Sequence, residues 1–264
     1  MPDDPVCGLA RTVADFADDF VKAASRHTRK RLEYEHIREA QAALLLLRGH
    51  ADTLVHLVAL GPWTYPSAWP IARSMLEVGV RSAWRMDHDD PLVAEARWLI
   101  WLRRQVRLEQ DKVVWLAGQI DDASAARASE RATSFKTFCD GVEAQLVAKG
   151  GVMPRREPNM LTVLTDLGLE NRYRFYAEAS ERQHGSHVGL TAYTRNLGSA
   201  REFGEYAQPI DWVEPLILAM GGLRVLTEVY GYRTDSPELE AVRVAAAAKW
   251  DSFRLRLGEL DGEG

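Results

Sequence analysis

Hydroxyl and imidazole side chains recur at helical spacing between Tyr173 and His187, and these groups can donate and accept protons. The stripe consists of Tyr173, Tyr176, Ser180, His184 and His187. On a continuous helix these residues share one face. The other faces are charged and carry Arg172, Arg174, Glu178, Glu181 and Arg182. We therefore predict that the polar stripe is buried, and because buried polar groups need partners, it is either catalytic or a network that fixes the helix register.

A second set of charged side chains lies on an otherwise apolar segment, at every fourth position from Arg73 to Arg85. The set consists of Arg73, Glu77, Arg81 and Arg85. If this face is exposed to solvent, the Arg73–Glu77 pair adds roughly a few tenths of a kcal/mol. If it faces the interior, the pair is costly to bury and indicates a site. Together the two stripes predict a polar pocket between this helix and the Tyr173–His187 segment.

These two segments resemble a family of uncharacterised bacterial helical proteins. The resemblance rests on Arg73-Ser-Met-Leu-Glu77-Val and on Tyr176-Ala-Glu-Ala-Ser180-Glu-Arg-Gln-His184-Gly-Ser. It covers roughly residues 30–195. It implies an all-helical fold and carries no established reaction.

The string Arg182-Gln-His-Gly-Ser-His187 also resembles the Arg-x4-to-6-His signature of HEPN-type helical ribonucleases. That resemblance implies that His187 is an acid–base group and that Arg182 stabilises a phosphate. The signature is short, and the spans from Arg31 to His36 and from Arg81 to His88 satisfy it too. The polar residues between Arg182 and His187 favour the match in this segment.

The ribonuclease hypothesis assigns supporting roles to the other polar residues of the two segments. His184 and Ser180 would orient the site, Arg73 or Glu77 would support it, and Tyr176 completes the set. The resemblance implies cleavage of RNA without metal, commonly in toxin or phage-defence systems. It also implies a homodimer, because HEPN-type sites usually form across two copies.

The opposing hypothesis is a non-catalytic binding protein in which the same residues only fix the helix register. The exposed arginines would then meet a protein partner. The two hypotheses differ in packing, because catalysis requires a cleft beside His187.

A third hypothesis is a carboxylate-bridged di-iron bundle, which uses Glu-x-x-His pairs on two helices and glutamates from two more. The candidate ligands are Glu33, His36, Glu77, Glu181 and His184, and Glu95 is a further glutamate. The order of these residues along the chain differs from the usual one. We therefore expect no cofactor in the first instance and iron only as the alternative.

Other motifs indicate local structure rather than chemistry. The string Asp87-His-Asp89-Asp90 matches the Asp-x-Asp-Asp motif of class II terpene cyclases. However, Asp90 directly before Pro91 is typical of the start of a helix. Gly-rich phosphate loops and nucleophile elbows are absent from the sequence.

The composition indicates an ordinary globular protein. The 264 residues are 46% hydrophobic and 27% charged, which excludes a disordered or collagen-like chain. The net charge is −5, with 33 basic and 38 acidic side chains. The basic residues are spread along the chain, so composition alone does not indicate a nucleic-acid-binding surface.

The cysteines and the apolar runs favour a cytoplasmic protein. Cys7 and Cys139 lie far apart and predict neither a disulfide framework nor a zinc site. The N-terminal residues do not follow the pattern of a secretory signal. The longest uncharged apolar run, around Leu54 to Trp63, is too short to cross a bilayer. We therefore expect no membrane segment.

Apolar residues recur at three- and four-residue spacing almost throughout, which predicts an all-α bundle of long antiparallel helices. The predicted helices cover 9–25, 28–60, 67–87, 90–116, 122–149, 159–167, 170–193 with a bend near Gly185, 211–230 and 236–260. We predict one domain over 1–264, with its core at about 30–230, a flexible loop at 149–158 and a frayed end at 258–264. The bundle is expected to join the second, third and fourth helices with the Tyr173 segment.

Overall fold

The computed structural model describes residues 5–27, 34–61, 64–119, 122–154, 156–183 and 209–261, and these residues form helices and no strands. The α-helices of this described part are α1 (Pro5–His27), α2 (Glu35–Leu60), α3 (Tyr65–Met86), α4 (Pro91–Gln119), α5 (Asp122–Ala148), α6 (Met160–Asp166), α7 (Tyr173–Gln183), α8 (Val213–Thr234) and α9 (Pro237–Asp261). One turn of 3-10 helix, Glu170–Arg172, precedes α7, and another, Pro209–Trp212, precedes α8. The all-α prediction is confirmed.

Local chemistry explains several helix ends. Gly61, which follows α2, has a φ of 116°, a conformation that glycine adopts without strain. Asp90 caps α4, because its carboxylate Oδ1 accepts the backbone N–H of Leu92 at 2.8 Å. This bond confirms the helix start predicted at Asp90 and Pro91. The predicted helical segment over 170–193 is described only as far as Gln183.

The helices group into two compact units, whereas the sequence predicts one domain. Unit 1 comprises residues 1–33, 37–86 and 160–264, and unit 2 comprises residues 34–36 and 87–159. Unit 2 therefore ends next to the Pro-containing loop at 149–158 that we predict from the sequence. Helix α9 continues to Asp261, inside the stretch that was expected to fray.

Unit 1 is organised by the pairing of α3 with α8, while α1 packs against α8 and α9. Gly79 and Gly222 lie where the α3 and α8 backbones meet. A Cβ atom at Gly79 would lie 2.6 Å from the carbonyl carbon of Gly222, so no side chain fits there. The sequence predicts a bundle that includes the second, third and fourth helices; in the structure α4 packs against α5, and these two helices form unit 2.

Unit 2 is built on α4 and α5, which bury a small core that includes Leu99, Leu102 and Cys139. Outside this core the two helices are tied by the guanidinium of Arg103. It pairs with Asp140 at 3.0 Å and also with Glu143. These two carboxylates are partly exposed to solvent, so the ion pairs add little stability.

Helix α2 is the one helix of the described residues that is long and apolar enough to cross a membrane. We expected no membrane segment because every uncharged apolar run is short. The apolar stretch of α2 that is long enough to cross a membrane includes charged residues, so it was not among those runs. The evidence for a membrane segment is weak, since core helices of soluble proteins have the same length and composition. The qualifying stretch of α2 is 28% buried: Leu44, Leu47 and Leu54 lie in the core of unit 1, whereas Leu45 and Leu46 are exposed.

Candidate functional site

The charged face of α3 is partly buried rather than turned to solvent. Glu77 lies between two arginines, with its carboxylate 3.5 Å from the guanidinium of Arg73 and 3.1 Å from Nε of Arg81. The side chains of Arg73, Glu77 and Arg81 are 19%, 26% and 14% exposed. Within unit 1, Arg85 is the deepest member at 3% exposed, and Glu39 of α2 pairs with it at 2.6 Å. The three arginines of this face are thus paired with two carboxylates, those of Glu77 and Glu39.

Arg73 connects this face to α7. Its Nη2 donates to the phenolic oxygen of Tyr176 at 2.9 Å, and its Nη1 donates to Oε1 of Gln183 at 2.7 Å. Arg73, Glu77 and Tyr176 therefore lie together, in the region where the sequence predicts a polar pocket. Gln183 was not among the predicted site residues, since nothing in its spacing distinguishes it.

Arg182 of α7 also contacts α3. Its guanidinium lies 4.3 Å from the ring centroid of Trp69 and donates to the hydroxyl of Tyr65 at 3.3 Å. Its charge is balanced by Glu178 at 2.9 Å and Glu214 at 3.6 Å. Burial raises the pKa of Tyr65, which keeps this phenol protonated. Arg182 is thus held on an inward side of α7.

The described part of the predicted inward face of α7 is only partly buried. Ala179 is the buried residue of this helix, Tyr176 and Ser180 are partly exposed, and Tyr173 is 37% exposed. The helix is therefore rotated so that small Ala179 approaches α3. Long side chains on either side of it, including that of Arg182, can still reach the neighbouring helices.

Several predicted site residues fall outside the described part of the chain. These residues are Glu33, His184 and His187. The other two matches to the ribonuclease signature gain nothing from the structure. Arg31 is also outside the described residues, and His88 accepts the backbone N–H of Asp90 at 3.0 Å, as part of the helix start.

The described members of the di-iron hypothesis do not form a metal centre. No group of three or more His, Cys, Asp or Glu side chains among the described residues is arranged to hold a metal ion. Within unit 2, Nδ1 of His36 lies 2.9 Å from the Glu95 carboxylate, and both side chains are buried. Glu77 is engaged by its two arginines, and Glu181 is exposed. The iron hypothesis therefore receives no support from these residues.

A serine–histidine pair that the sequence analysis missed joins α2 to α3. Oγ of Ser74 lies 3.3 Å from Nε2 of His50, and burial lowers the pKa of His50. In the described part of the chain no carboxylate contacts His50. The pair therefore lacks the orienting group of a catalytic triad, and residues from two distant helices give no motif by which the sequence could reveal it.

A cavity of about 660 Å³ adjoins the α3–α7 contact in unit 1. Its walls come from α3, the turn before α7, α7 itself, α8 and α9. The polar lining residues are Asn171, Arg172, Arg174, Glu178, Glu214 and Arg224. Burial and the charge of Arg224 lower the pKa of Arg172, while Glu228 partly offsets them. The sequence did not predict this cavity, because its pattern assigns Arg172 and Arg174 to the outer charged faces of the Tyr173–His187 segment.

Comparison of the chain with protein-family models, curated proteins and solved structures found no match.

Proposed function

We propose that the protein is a metal-independent ribonuclease whose site is built around Arg73 on α3. The observation that carries the proposal is the bridge from Arg73 to Tyr176 and Gln183. Gln183 directly precedes His184 in the chain, so this bridge fixes the residue from which the candidate histidine segment starts. The guanidinium of Arg73 beside the phenol of Tyr176 is suited to phosphate binding, and the proposal adds a histidine of this segment for proton transfer.

The proposed reaction is transesterification of the RNA backbone. One histidine, His184 or His187, removes the proton from a ribose 2′-hydroxyl, and the 2′-oxygen forms a bond to the adjacent phosphorus. The bond from phosphorus to the 5′-oxygen breaks, and the second histidine in its protonated form gives that oxygen a proton. Arg73 stabilises the negative charge on the phosphoryl oxygens. The products are a 2′,3′-cyclic phosphate and a 5′-hydroxyl.

The proposed cellular location follows from RNA as the substrate. Cellular RNA is met in the cytoplasm, where cleavage would serve a toxin or phage-defence system. A homodimer is part of this proposal, since it rests on the HEPN-type resemblance. Arg182 would position the site rather than bind phosphate directly, because two carboxylates, Glu178 and Glu214, lie beside its guanidinium and oppose an anion there. The guanidinium of Arg73 has one carboxylate near it, that of Glu77 at 3.5 Å.

A second candidate function, a non-catalytic module that binds a protein partner, is favoured by one observation. The charges of Arg73 and Arg182 are balanced within the chain by Glu77 and Glu178. Such internal pairing is typical of a network that holds two helices in register. This candidate predicts that no variant of the histidine segment changes RNA.

The test uses the purified full chain with a labelled single-stranded RNA in EDTA. We expect cleavage to cyclic-phosphate ends by the wild type, and a loss of about 100-fold or more in His187→Ala or His184→Ala. Arg73→Ala should lose a comparable factor. His56→Ala and Arg11→Ala, at exposed positions on α2 and α1, are the matched controls and should keep the wild-type rate.

Growth of cells that express the wild type, His187→Ala or Arg182→Ala provides a second test. Wild-type expression should slow growth and break total RNA, and both effects should vanish in His187→Ala and Arg182→Ala. Intact RNA in the wild-type arms of both assays would reject the ribonuclease and favour the protein-binding candidate. Cleavage that EDTA abolishes would reject the metal-independent mechanism.

A further inference from the structure

The cavity beside α7 is lined by both apolar and cationic side chains. Trp69 and Leu76 of α3, Ile217 and Leu218 of α8 and Trp250 of α9 supply the apolar surface. Its volume of about 660 Å³ lies within the usual range for pockets that bind small molecules. A ligand with an apolar body would therefore bury that body here.

The charges that line the cavity divide into two groups. Glu178 and Glu214 are both close to Arg182, whose single charge offsets one of their two negative charges. In contrast, Arg172, Arg174 and Arg224 form no ion pair with any carboxylate of the described residues. Arg224 is close enough for its charge to contribute to the lowered pKa of Arg172. These three arginines therefore give the cavity lining positive charge that is not compensated at short range.

The backbone is shaped to accommodate one of these guanidiniums. A Cβ atom at Gly221 of α8 would lie 3.2 Å from Nη1 of Arg172, which is tighter than an ordinary contact. Glycine at this position leaves room for the Arg172 head group beside α8. The location of the cation is thus determined by packing and not only by a flexible side chain at the surface.

We propose that this cavity binds a small amphipathic carboxylate, with its carboxylate between Arg172 and Arg224 and its apolar body against Trp69, Ile217 and Trp250. A carboxylate has two oxygens, and guanidinium groups bind such pairs of oxygens in charge-assisted hydrogen bonds. The anion also relieves the repulsion between the two arginines. This site does not depend on the proposed ribonuclease, because its residues include neither Arg73 nor the histidines.

The experiment is calorimetric titration of the full chain with sodium octanoate, in the absence of RNA. We expect binding of one octanoate per chain. 1-Octanol lacks the charge and should bind at least about 10-fold more weakly. Acetate lacks the apolar body and should give no measurable binding. Because no RNA is present, failure here is distinct from failure of the ribonuclease proposal.

Variants of the cationic and of the apolar lining residues test where in the cavity the ligand binds. Arg172→Gln and Arg224→Gln should each weaken octanoate binding about 10-fold, whereas Arg11→Gln on the exposed face of α1 should not. Ile217→Trp places a larger side chain in the apolar lining of the cavity and should weaken binding by a similar factor. Leu161→Trp is its matched control, because Leu161 of α6 has a similar exposed fraction and does not line the cavity.

Three results would overturn the proposal. The first is no octanoate binding at millimolar concentration to folded wild-type protein. The second is equal affinity in the wild type and in both arginine variants. The third is equal affinity for octanoate and 1-octanol. Circular dichroism of each variant confirms that it is folded, and Arg172→Lys, which retains the charge, should keep more of the affinity than Arg172→Gln.

Discussion

Unit 1 contains two clusters of arginines that differ in how their charge is balanced. In the α3–α7 network, Arg73 and Arg182 have carboxylates within 4 Å and hydrogen-bond to tyrosine hydroxyls. At the cavity, Arg172 and Arg224 have no ion pair among the described residues, although Glu228 acts on Arg172 from a longer distance. The residue type is the same in both clusters, but its surroundings are not.

The same side chain can therefore stabilise a fold or attract an anion, depending on the neighbouring charges. Removal of a carboxylate from a balanced network leaves a cation without its partner and costs stability. Removal of a cation from an uncompensated pair relieves repulsion instead. The two clusters therefore predict effects of opposite sign on the free energy of unfolding.

The largest effect is expected where one change disrupts both clusters. Gly79→Ala places a methyl group against the carbonyl of Gly222 and forces α3 away from α8. We expect a loss of about 3 kcal/mol in the free energy of unfolding, measured by urea denaturation. Gly49→Ala in α2 is the control, since a Cβ there meets nothing within 4 Å and should be neutral or stabilising. Equal stability of the two variants would contradict the tight α3–α8 contact.

The next effect tests the balanced network. Glu77→Gln keeps the shape of the side chain but removes the charge that Arg73 and Arg81 share. We expect a loss of about 1–2 kcal/mol in chemical denaturation. The control is Glu240→Gln, which breaks an exposed ion pair with Arg243 on α9 and should cost under about 0.5 kcal/mol. A Glu77→Gln protein as stable as that control would show that the network contributes nothing beyond a surface pair.

The smallest effect has the opposite sign. Arg172→Gln removes one of two cations that repel each other, so we expect a gain of roughly a few tenths of a kcal/mol in low salt. The gain should shrink in 1 M NaCl, because salt screens the repulsion. Arg11→Gln should leave stability unchanged at both salt concentrations. A loss of stability in Arg172→Gln would indicate that a carboxylate already compensates this arginine.

The sequence predicted the helices well because their signals are local. Apolar periodicity placed α3 and α8 to within a few residues, and Asp90-Pro91 marked the start of α4. These features depend on residues near one another in the chain.

The candidate site was only partly predictable. The contact of Arg73 with Tyr176 follows from pairing two polar faces, but the rotation of α7 about Ala179 does not, because it depends on how small side chains fit between helices. The cavity was missed for a related reason. Whether Arg172 has a counter-ion depends on residues of α8 and α9, far away in the chain.

The meeting of Gly79 and Gly222 also has a use in tracing ancestry. The two positions are distant in sequence, yet each needs glycine for the other's helix to approach. A distant relative with this arrangement is therefore expected to keep both glycines even where its polar residues have changed. A search for both glycines together with Arg73 and Tyr176 can therefore identify distant relatives whose sequence identity over the whole chain is low.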